Sequence, residues 1–320
     1  MRSSARLRVS RTIVGPSRRP RNVPPTSTPR RAASRSIGYR GKSRVVVRYG
    51  FFEATAHGFE PLPFAASAWS PTMINGPAVC GLMARALEQQ HCSAGFLPAR
   101  LTVDLFRPTL AKPVTVVTEL VRDGRRIRVA DAALMQDGVD VARATVVFLK
   151  RSVQPPGQLW TRTEVPQPPS VPVASEPTRP LWGSDAHADG WSTDIGEHQN
   201  DSRKRMWQVP MRVLEGEPPS PFVGAVVIGE TTSLMTNWGS AGVGFINTDM
   251  TLALARTPVG SEIGVEADSH LSADGVAVGS ATLFDRTGPF GTCVVTALSN
   301  AERQVDFTNG DLTAAKAGIR

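Results

Sequence analysis

The stretch Leu101-Thr-Val-Asp-Leu-Phe-Arg107-Pro108 returns in altered form later in the chain as Met250-Thr-Leu-Ala-Leu-Ala-Arg256-Thr257. Each copy is followed by two turn sequences, which are Asp123-Gly124 and Asp137-Gly138 in the first half and Asp274-Gly275 and Thr287-Gly288 in the second. The copies are offset by about 149 to 151 residues, far more than the roughly 20 to 50 residues of a solenoid repeat. We therefore predict one domain-sized module present twice, packed as a pseudo-symmetric pair with any site near their seam.

The composition of the 320 residues predicts a globular protein without a membrane span. Hydrophobic residues make up 41% of the chain, enough for a large core, and no apolar run reaches the roughly 18 residues that a bilayer requires. The net charge of +8 is concentrated at the start, where residues 1–44 contain 12 Arg and 1 Lys without an acidic residue. Subtracting these 13 from the 36 basic residues leaves 23 against 28 acidic ones. The folded core is therefore not expected to bind nucleic acid.

Residues 1–44 form an extension rich in Arg, Ser and Pro, which is predicted to be disordered. Three origins remain open for it: an organelle transit peptide, an arm that binds phosphate groups, or upstream sequence included by a start placed too early. The third is favoured, because sequence with the pattern of a folded protein begins abruptly at Val45. No apolar segment precedes a small-residue cleavage site, so a secretory signal is not expected.

The chain lacks the residue patterns of common metal and cofactor sites. It has no G-x-S-x-G elbow, no P-loop and no complete dinucleotide-binding fingerprint. The histidines have no metal-ligand spacing, and the cysteines have no paired spacing: His57, His91, His187, His198, His270, Cys80, Cys92 and Cys293. We therefore expect no metal and no cofactor, and the sparse thiols favour a reducing, cytoplasmic location.

The first module is predicted over residues 45–151 as one helix followed by a run of strands. Asn75 is a suitable N-cap and Pro77 falls in the first turn of a helix from Gly76 to about Gln90. Four β-branched stretches follow, at Leu101–Phe106, Val114–Arg122, Arg126–Met135 and Val139–Leu149. One long helix against an antiparallel sheet indicates an α+β module.

Residues 152–208 are predicted to be a Pro-rich linker and a connecting segment. The second module, residues 209–303, repeats the order of elements. Ser220 is the expected N-cap of a helix that begins at Pro221 and runs to about Asn237, with Gly239 beyond its end. Strands are predicted at Thr248–Ala255, Glu262–Leu271, Val276–Asp285 and Gly291–Leu298, and residues 304–320 as a flexible tail.

Several stretches, in the right order over both halves, resemble the double-hotdog acyl-CoA thioesterases of the thioesterase II-like superfamily. They are Ile74-Asn-Gly-Pro-Ala78, Pro98 to Pro108, Val121 to Arg126, Phe245-Ile-Asn-Thr-Asp249 leading to Arg256, and Leu283 to Gly291. The resemblance implies a tandem hotdog fold of two long helices, each wrapped by an antiparallel β-sheet. It also implies an acyl-CoA substrate, and it makes a homodimer an expectation by analogy.

In the resembling family a helix carboxylate, a Thr and a Gln hold the water that attacks the thioester. The carboxylate position corresponds to Glu230, where the family most often has Asp. The Thr position corresponds to Asn247 and the Gln position to Val295, which has neither a donor nor an acceptor. Candidate substitutes for the third group are Thr232, Ser233 and Thr296, which the sequence alone does not place relative to Glu230.

The residue pattern around Glu230 supports a buried base. Glu230 shares a helical stripe with Val223, Val226, Val227 and Leu234. Burial there would raise its pKa toward that of a general base, although the side chain could instead turn to a solvated helix edge. Asn247 could equally belong to a turn. Gly76, Pro77 and Ala78 are the expected substrate-binding residues, through N–H groups at a helix N-terminus.

Three functions follow from this sequence. The first is hydrolysis of acyl-CoA thioesters by water activated through Glu230. The second is an acyl-CoA-binding hotdog protein whose catalysis is impaired by Val295. The third, a hotdog hydratase, is disfavoured because the Asp/His pair it requires is missing at the expected place.

Overall fold

The computed structural model describes residues 48–170, 179–187 and 190–308, together with the backbone of residues 12–14. The helices are α1 (Gly76–His91), α2 (Pro221–Glu230) and α3 (Thr232–Asn237). The strands of the first half are β1 (Thr12–Val14), β2 (Phe52–Thr55), β3 (Gly58–Pro61), β4 (Phe96–Asp104), β5 (Thr115–Asp123), β6 (Ile127–Gln136) and β7 (Val139–Lys150). Those that follow are β8 (Leu181–Ser184), β9 (Lys204–Gln208), β10 (Trp238–Gly239), β11 (Gly242–Val243), β12 (Phe245–Asn247), β13 (Asp249–Leu254), β14 (Ile263–Ala273), β15 (Val276–Asp285) and β16 (Gly288–Ser299).

The predicted repeat is visible in the bounds of the strands. Strands β6 and β15 are offset by 149 residues at both ends, and so are β7 and β16. The turn before β7 and the turn before β15 both place an Asp and a Gly at positive φ, at 49° and 78° for Asp137-Gly138 and at 51° and 80° for Asp274-Gly275. Two consecutive positive φ angles define the type I′ turn that matches the twist of a hairpin, as the Asp-Gly pairs predict.

The two modules share a single antiparallel sheet. Within the described residues its strand order is β1-β5-β6-β7-β4-β13-β16-β15-β14-β9-β8, with β12 on β16. The halves meet where β4 pairs with β13, and Thr102 pairs there with Thr251, its own counterpart 149 residues later. The two hydroxyl oxygens are 3.1 Å apart. A residue that pairs with its own copy marks a pseudo-twofold axis, which passes through the centre of the sheet.

Helix α1 begins as the sequence predicts and lies beside α2 in the core. The Asn75 side chain accepts a hydrogen bond from the Ala78 N–H at 2.9 Å, and Pro77 occupies the first turn. The helices approach closely at Gly81, where a Cβ atom would lie 2.9 Å from Val227 Cγ2. Both helices pack under the central strands in one continuous apolar core.

The prediction of two long helices is wrong for the second module. Helix α2 ends at Glu230, and α3 begins again after Thr231, whose ψ is −3°. The Thr231 hydroxyl donates to the Ile228 carbonyl at 2.6 Å, and such a bond competes with the helical bonding of the backbone. The break places the Glu230 carboxylate at the end of a ten-residue helix.

The connecting segment and the extensions are more structured than the composition suggests. Strand β9 pairs with β14 and carries β8 on its outer side, and Trp207 is fully buried there. Residues 304–308 of the predicted flexible tail pack on the second module, because Val305 pairs with Val243 and Phe307 is buried. In the N-terminal extension, predicted to be disordered, β1 pairs with β5. The rest of residues 1–44 and residues 309–320 lie outside the described residues.

No helix in the described part of the chain is long and apolar enough to cross a bilayer.

Candidate active site

The Glu230 side chain lies between the two modules, against the start of α1. Only 6% of the residue is exposed, so the alternative of a solvated side chain at the helix edge is wrong. A Cβ atom at Gly76 would lie 1.8 Å from Glu230 Oε1. The carboxylate therefore occupies the space that a side chain at position 76 would need, and glycine is required for this contact.

Asn247, at the end of β12, contacts the same carboxylate. Its side-chain amide donates to Glu230 Oε1 at 3.1 Å, so the side chain is turned toward α2 and does not serve a turn. Asn247 is paired with Ala297 of β16, which fixes the strand carrying it. The structure thus brings together Glu230, Asn247 and Gly76, three of the predicted site residues.

Burial raises the pKa of Glu230 from its ordinary value of 4.5 to about 8. The hydrogen bond from Asn247 favours the charged form and opposes this rise. A carboxyl group with a pKa near 8 is partly ionised near neutral pH and accepts a proton more readily than an ordinary glutamate. These are the properties of a general base.

The predicted binding stretch Gly76, Pro77 and Ala78 offers fewer donors than expected. Proline has no N–H, and the Ala78 N–H is already bonded to the Asn75 side chain. The Gly76 N–H makes no hydrogen bond to any other described residue. Of the three residues, Gly76 alone therefore presents a free N–H beside the Glu230 carboxylate.

Val295 and Thr296 lie on opposite faces of β16. Val295 is completely buried on the inner face and adds no polar atom to the site. Thr296 has its hydroxyl bonded to Asp249 and Thr248 and alternates with the buried inner residues. Thr296 is therefore a poor substitute for the missing glutamine.

Thr232 is a buried polar residue in this region whose hydroxyl interacts only weakly, with the Cys293 thiol, among the described residues. Its hydroxyl oxygen is buried, and no described residue forms a hydrogen bond with it. The hydroxyl lies close enough to the Cys293 thiol to lower the pKa of that thiol, but burial has the larger effect and raises it to about 12. The Glu230 charge also raises the Cys293 pKa, so Thr232, Cys293 and Glu230 share one buried region.

The counterpart of Glu230 in the first module is an arginine. Arg85 is the tenth residue of α1, as Glu230 is the tenth residue of α2. Its buried guanidinium forms two hydrogen bonds with the Glu217 carboxylate, at 2.9 and 2.8 Å. The end of the seam that contains Arg85 has a cavity of about 320 Å³. Arg85 there takes the place that the Glu230 carboxylate has at the other end.

His187, Glu197 and His198, which show no ligand spacing in the sequence, come together in the connecting segment. One potential ligand atom from each lies within 4.8 Å of the others. Both ring nitrogens of His198 are within hydrogen-bond distance of serine hydroxyls, Ser184 at 3.0 Å and Ser192 at 3.1 Å. Burial and the neighbouring charge of His187 lower the His198 pKa to about 4, which fits a neutral structural histidine.

Two family models match the chain, one on each module. The acyl-CoA thioesterase N-terminal domain matches residues 65–149, and the acyl-CoA thioesterase C-terminal domain matches residues 155–298. This chain belongs to the acyl-CoA thioesterase family. No curated protein matches the sequence of this family member.

Solved structures share the fold of this family member at low identity. The tesB protein of Mycobacterium avium subspecies paratuberculosis has 20% identity and a TM-score of 0.56, over 78% of this chain and 95% of that one. A thioesterase-like protein from Novosphingobium aromaticivorans has 15% identity and a TM-score of 0.54, over 79% and 93%. A hot dog fold protein of unknown function from Alicyclobacillus acidocaldarius has 20% identity and a TM-score of 0.54, over 72% and 89%. The predicted α+β hotdog fold is thereby confirmed.

Proposed function

We propose that this chain hydrolyses acyl-CoA thioesters and that Glu230 is the general base. The observation that carries the proposal is the buried Glu230 carboxylate, held by Asn247 and pressed against the free N–H end of α1. Burial of a carboxylate is costly, and activation of a water gives this group a use that binding of acyl-CoA alone does not supply. Membership of the acyl-CoA thioesterase family supplies the substrate class.

The chemistry uses the three neighbouring groups in turn. Glu230 accepts a proton from water as the water oxygen attacks the thioester carbonyl, while Asn247 holds the carboxylate in place. The Gly76 N–H donates to the oxyanion that forms. When the C–S bond breaks, the CoA thiolate leaves and takes the proton from Glu230. The acyl group leaves as a carboxylic acid, which keeps the second proton of the water and releases it to solvent.

The pH dependence of turnover tests the role of Glu230. Because the base must be ionised, we expect kcat/KM to rise about tenfold per pH unit below pH 8 and to level off above it. The measurement is CoA release from a medium-chain acyl-CoA between pH 6 and 9.5, corrected for spontaneous hydrolysis. A rate that stays constant through this range would contradict the proposal.

The alternative function, acyl-CoA binding without turnover, rests on Val295 in place of the family's glutamine. It predicts that the protein binds acyl-CoA and releases no CoA above background. Short-, medium- and long-chain acyl-CoAs should be assayed in parallel with a binding measurement. Binding without release at every chain length supports this alternative over the hydrolase.

We further propose that the Thr232 hydroxyl takes the place of the missing glutamine as a holder of the attacking water. Thr232→Val keeps the shape of the side chain and removes its unpaired hydroxyl. We expect kcat to fall about tenfold while the melting temperature rises slightly, because an unsatisfied buried group is lost.

The matched control for Thr232 is Thr236→Val, one helical turn further on. The Thr236 hydroxyl donates to the Thr232 carbonyl at 2.8 Å, so its loss should lower stability and leave kcat unchanged. If Thr232→Val retains full kcat, its hydroxyl holds no catalytic water.

A further inference from the structure

Two arginines at equivalent positions in the two modules have different surroundings. Arg256 forms hydrogen bonds with both carboxylate oxygens of Asp285, at 2.6 and 3.0 Å, and one with the Gly288 carbonyl. Asp285 is fully buried. Burial raises its pKa, but the bonds from Arg256, Thr287 and Val259 outweigh that effect and hold the pKa at about 2. Arg107, 149 residues earlier, lies at the corresponding place after β4.

The residue equivalent to Asp285 is Gln136, the last residue of β6, as Asp285 is of β15. The hydrogen bonds confirm this equivalence. Gln136 Oε1 accepts from the Leu110 N–H at 2.8 Å, as Asp285 Oδ2 accepts from the Val259 N–H at 2.8 Å, and Leu110 and Val259 are also 149 residues apart. Gln136 has no charge, and its amide donates to the carbonyls of Leu110 and Lys112.

Arg107 has therefore lost the partner that its counterpart keeps. It is exposed, and among the described residues its side chain makes no hydrogen bond and no ion pair. An exposed cation without a partner is available to an anionic ligand. The pairing with a buried carboxylate is therefore found for Arg256 in the second module and not for Arg107 in the first.

The segment that carries Arg107 spans the two sides of the candidate site. On one side the Leu105 N–H donates to the Thr248 carbonyl at 2.7 Å, next to Asn247. On the other side the Thr109 carbonyl accepts from the Ile74 N–H at 2.7 Å, two residues before Gly76. Residues 106–108 connect these two contacts and are all exposed, and we call them the rim of the candidate site.

We infer that Arg107 binds the phosphate groups of the CoA moiety while the thioester reaches Glu230. This rests on the proposed function, because it assigns the polar end of the same substrate. Guanidinium groups pair well with phosphate oxygens. The chain beyond residue 44 has an acidic balance, so a free cation at the rim offers the phosphates a local attraction there. Phe106, 51% exposed beside it, adds apolar surface to the same rim.

The test compares two substrates that differ in their phosphates. For Arg107→Gln we expect KM for an acyl-CoA to rise about tenfold at low ionic strength, the usual size for loss of one charge-assisted hydrogen bond. KM for the matching S-acyl pantetheine, which has no phosphate, should stay unchanged, and kcat should change less than twofold for both. Salt should reduce the difference, and Arg107→Lys should recover part of it.

The control is Arg143→Gln, an exposed arginine paired with Asp104 at 3.0 Å on the outer face of the sheet. It should leave both KM values unchanged. Equal effects of Arg107→Gln on the two substrates, or no effect on either, would overturn the inference.

A calorimetric titration with CoA alone separates this inference from the proposed function. If the wild type shows no turnover but binds CoA, and Arg107→Gln binds it about tenfold more weakly, hydrolysis fails and the assignment of Arg107 stands. If turnover is normal and both proteins bind CoA equally, the assignment of Arg107 fails alone. If the wild type binds no CoA, the assignment is also overturned.

Discussion

Replacing Glu230 by glutamine is expected to lower kcat for acyl-CoA hydrolysis about 10³-fold. The amide keeps the size of the carboxyl group and can still contact Asn247, but it cannot accept the proton of the attacking water. Loss of a positioned general base typically costs about 10²- to 10⁴-fold. KM should change little, since the carboxylate acts on water and not on the CoA moiety.

The substitution Glu230→Gln should lower activity but raise the stability of the folded protein, and the gain in stability should depend on pH. The folded-state pKa of Glu230 is raised by burial to about 8. A raised carboxyl pKa favours folding below the unfolded value near 4.5, and this contribution is lost as the pH rises toward 8. The melting temperature of Glu230→Gln should therefore exceed that of the wild type by a margin that grows as the pH rises from 5 to 8. Thermal denaturation at three pH values measures this.

Glu88→Gln is the matched control for Glu230→Gln. Glu88 is also a partly buried glutamate whose pKa burial raises, but it lies at the other end of the seam and accepts a hydrogen bond from Ser220. Its substitution should leave kcat unchanged. A Glu230→Gln enzyme that keeps more than half of the wild-type kcat would remove Glu230 from the mechanism.

Adding a single methyl group at Gly76 is expected to lower kcat by about 10²-fold or more. The new Cβ atom would lie 1.8 Å from Glu230 Oε1, so the carboxylate must move away from the start of α1. A displacement of about 1 Å in a catalytic group can cost 10²-fold. Single-turnover CoA release at saturating acyl-CoA measures the loss independently of substrate binding.

Gly81→Ala separates displacement of Glu230 from general damage to α1. A Cβ atom at Gly81 would meet two apolar methyl groups, Val213 Cγ2 at 2.8 Å and Val227 Cγ2 on α2 at 2.9 Å. We expect lower stability and nearly normal kcat for this variant. If Gly76→Ala and Gly81→Ala lower kcat equally, the close contact at Gly76 has no special role in catalysis.

Much of the fold follows from the sequence because its signals are local. The Asn75 and Ser220 caps, the prolines behind them and the Asp-Gly turns each act over a few residues, and the structure has helices and hairpins at all of these places. The helix break at Thr231 is also a local event. It depends on the hydrogen bond from the Thr231 hydroxyl to the Ile228 carbonyl. Threonine also occurs within unbroken helices, so the sequence around Thr231 does not predict the break.

The site is less accessible to sequence reasoning because its contacts join distant segments. Glu230 and Asn247 are found through family resemblance and an apolar stripe. The contact of Glu230 with Gly76, 154 residues apart in the numbering, depends on how the modules pack. Thr232 and Arg107 are notable because their side chains form no hydrogen bond by geometry with any described residue. The local sequence does not predict the absence of a partner. Strand β9 has only five residues, and its pairing with β14 joins segments far apart in the sequence.

The pairing of Thr102 with Thr251 restricts how a substrate can reach the centre of the molecule. The two halves are joined by hydrogen bonds in the middle of a continuous sheet, and interior strands open only with much of the global unfolding energy. Hinged separation of the halves is therefore not an available entry route. If the proposed function holds, we expect the acyl chain to enter past the rim formed by residues 106–108, without separation of the two halves.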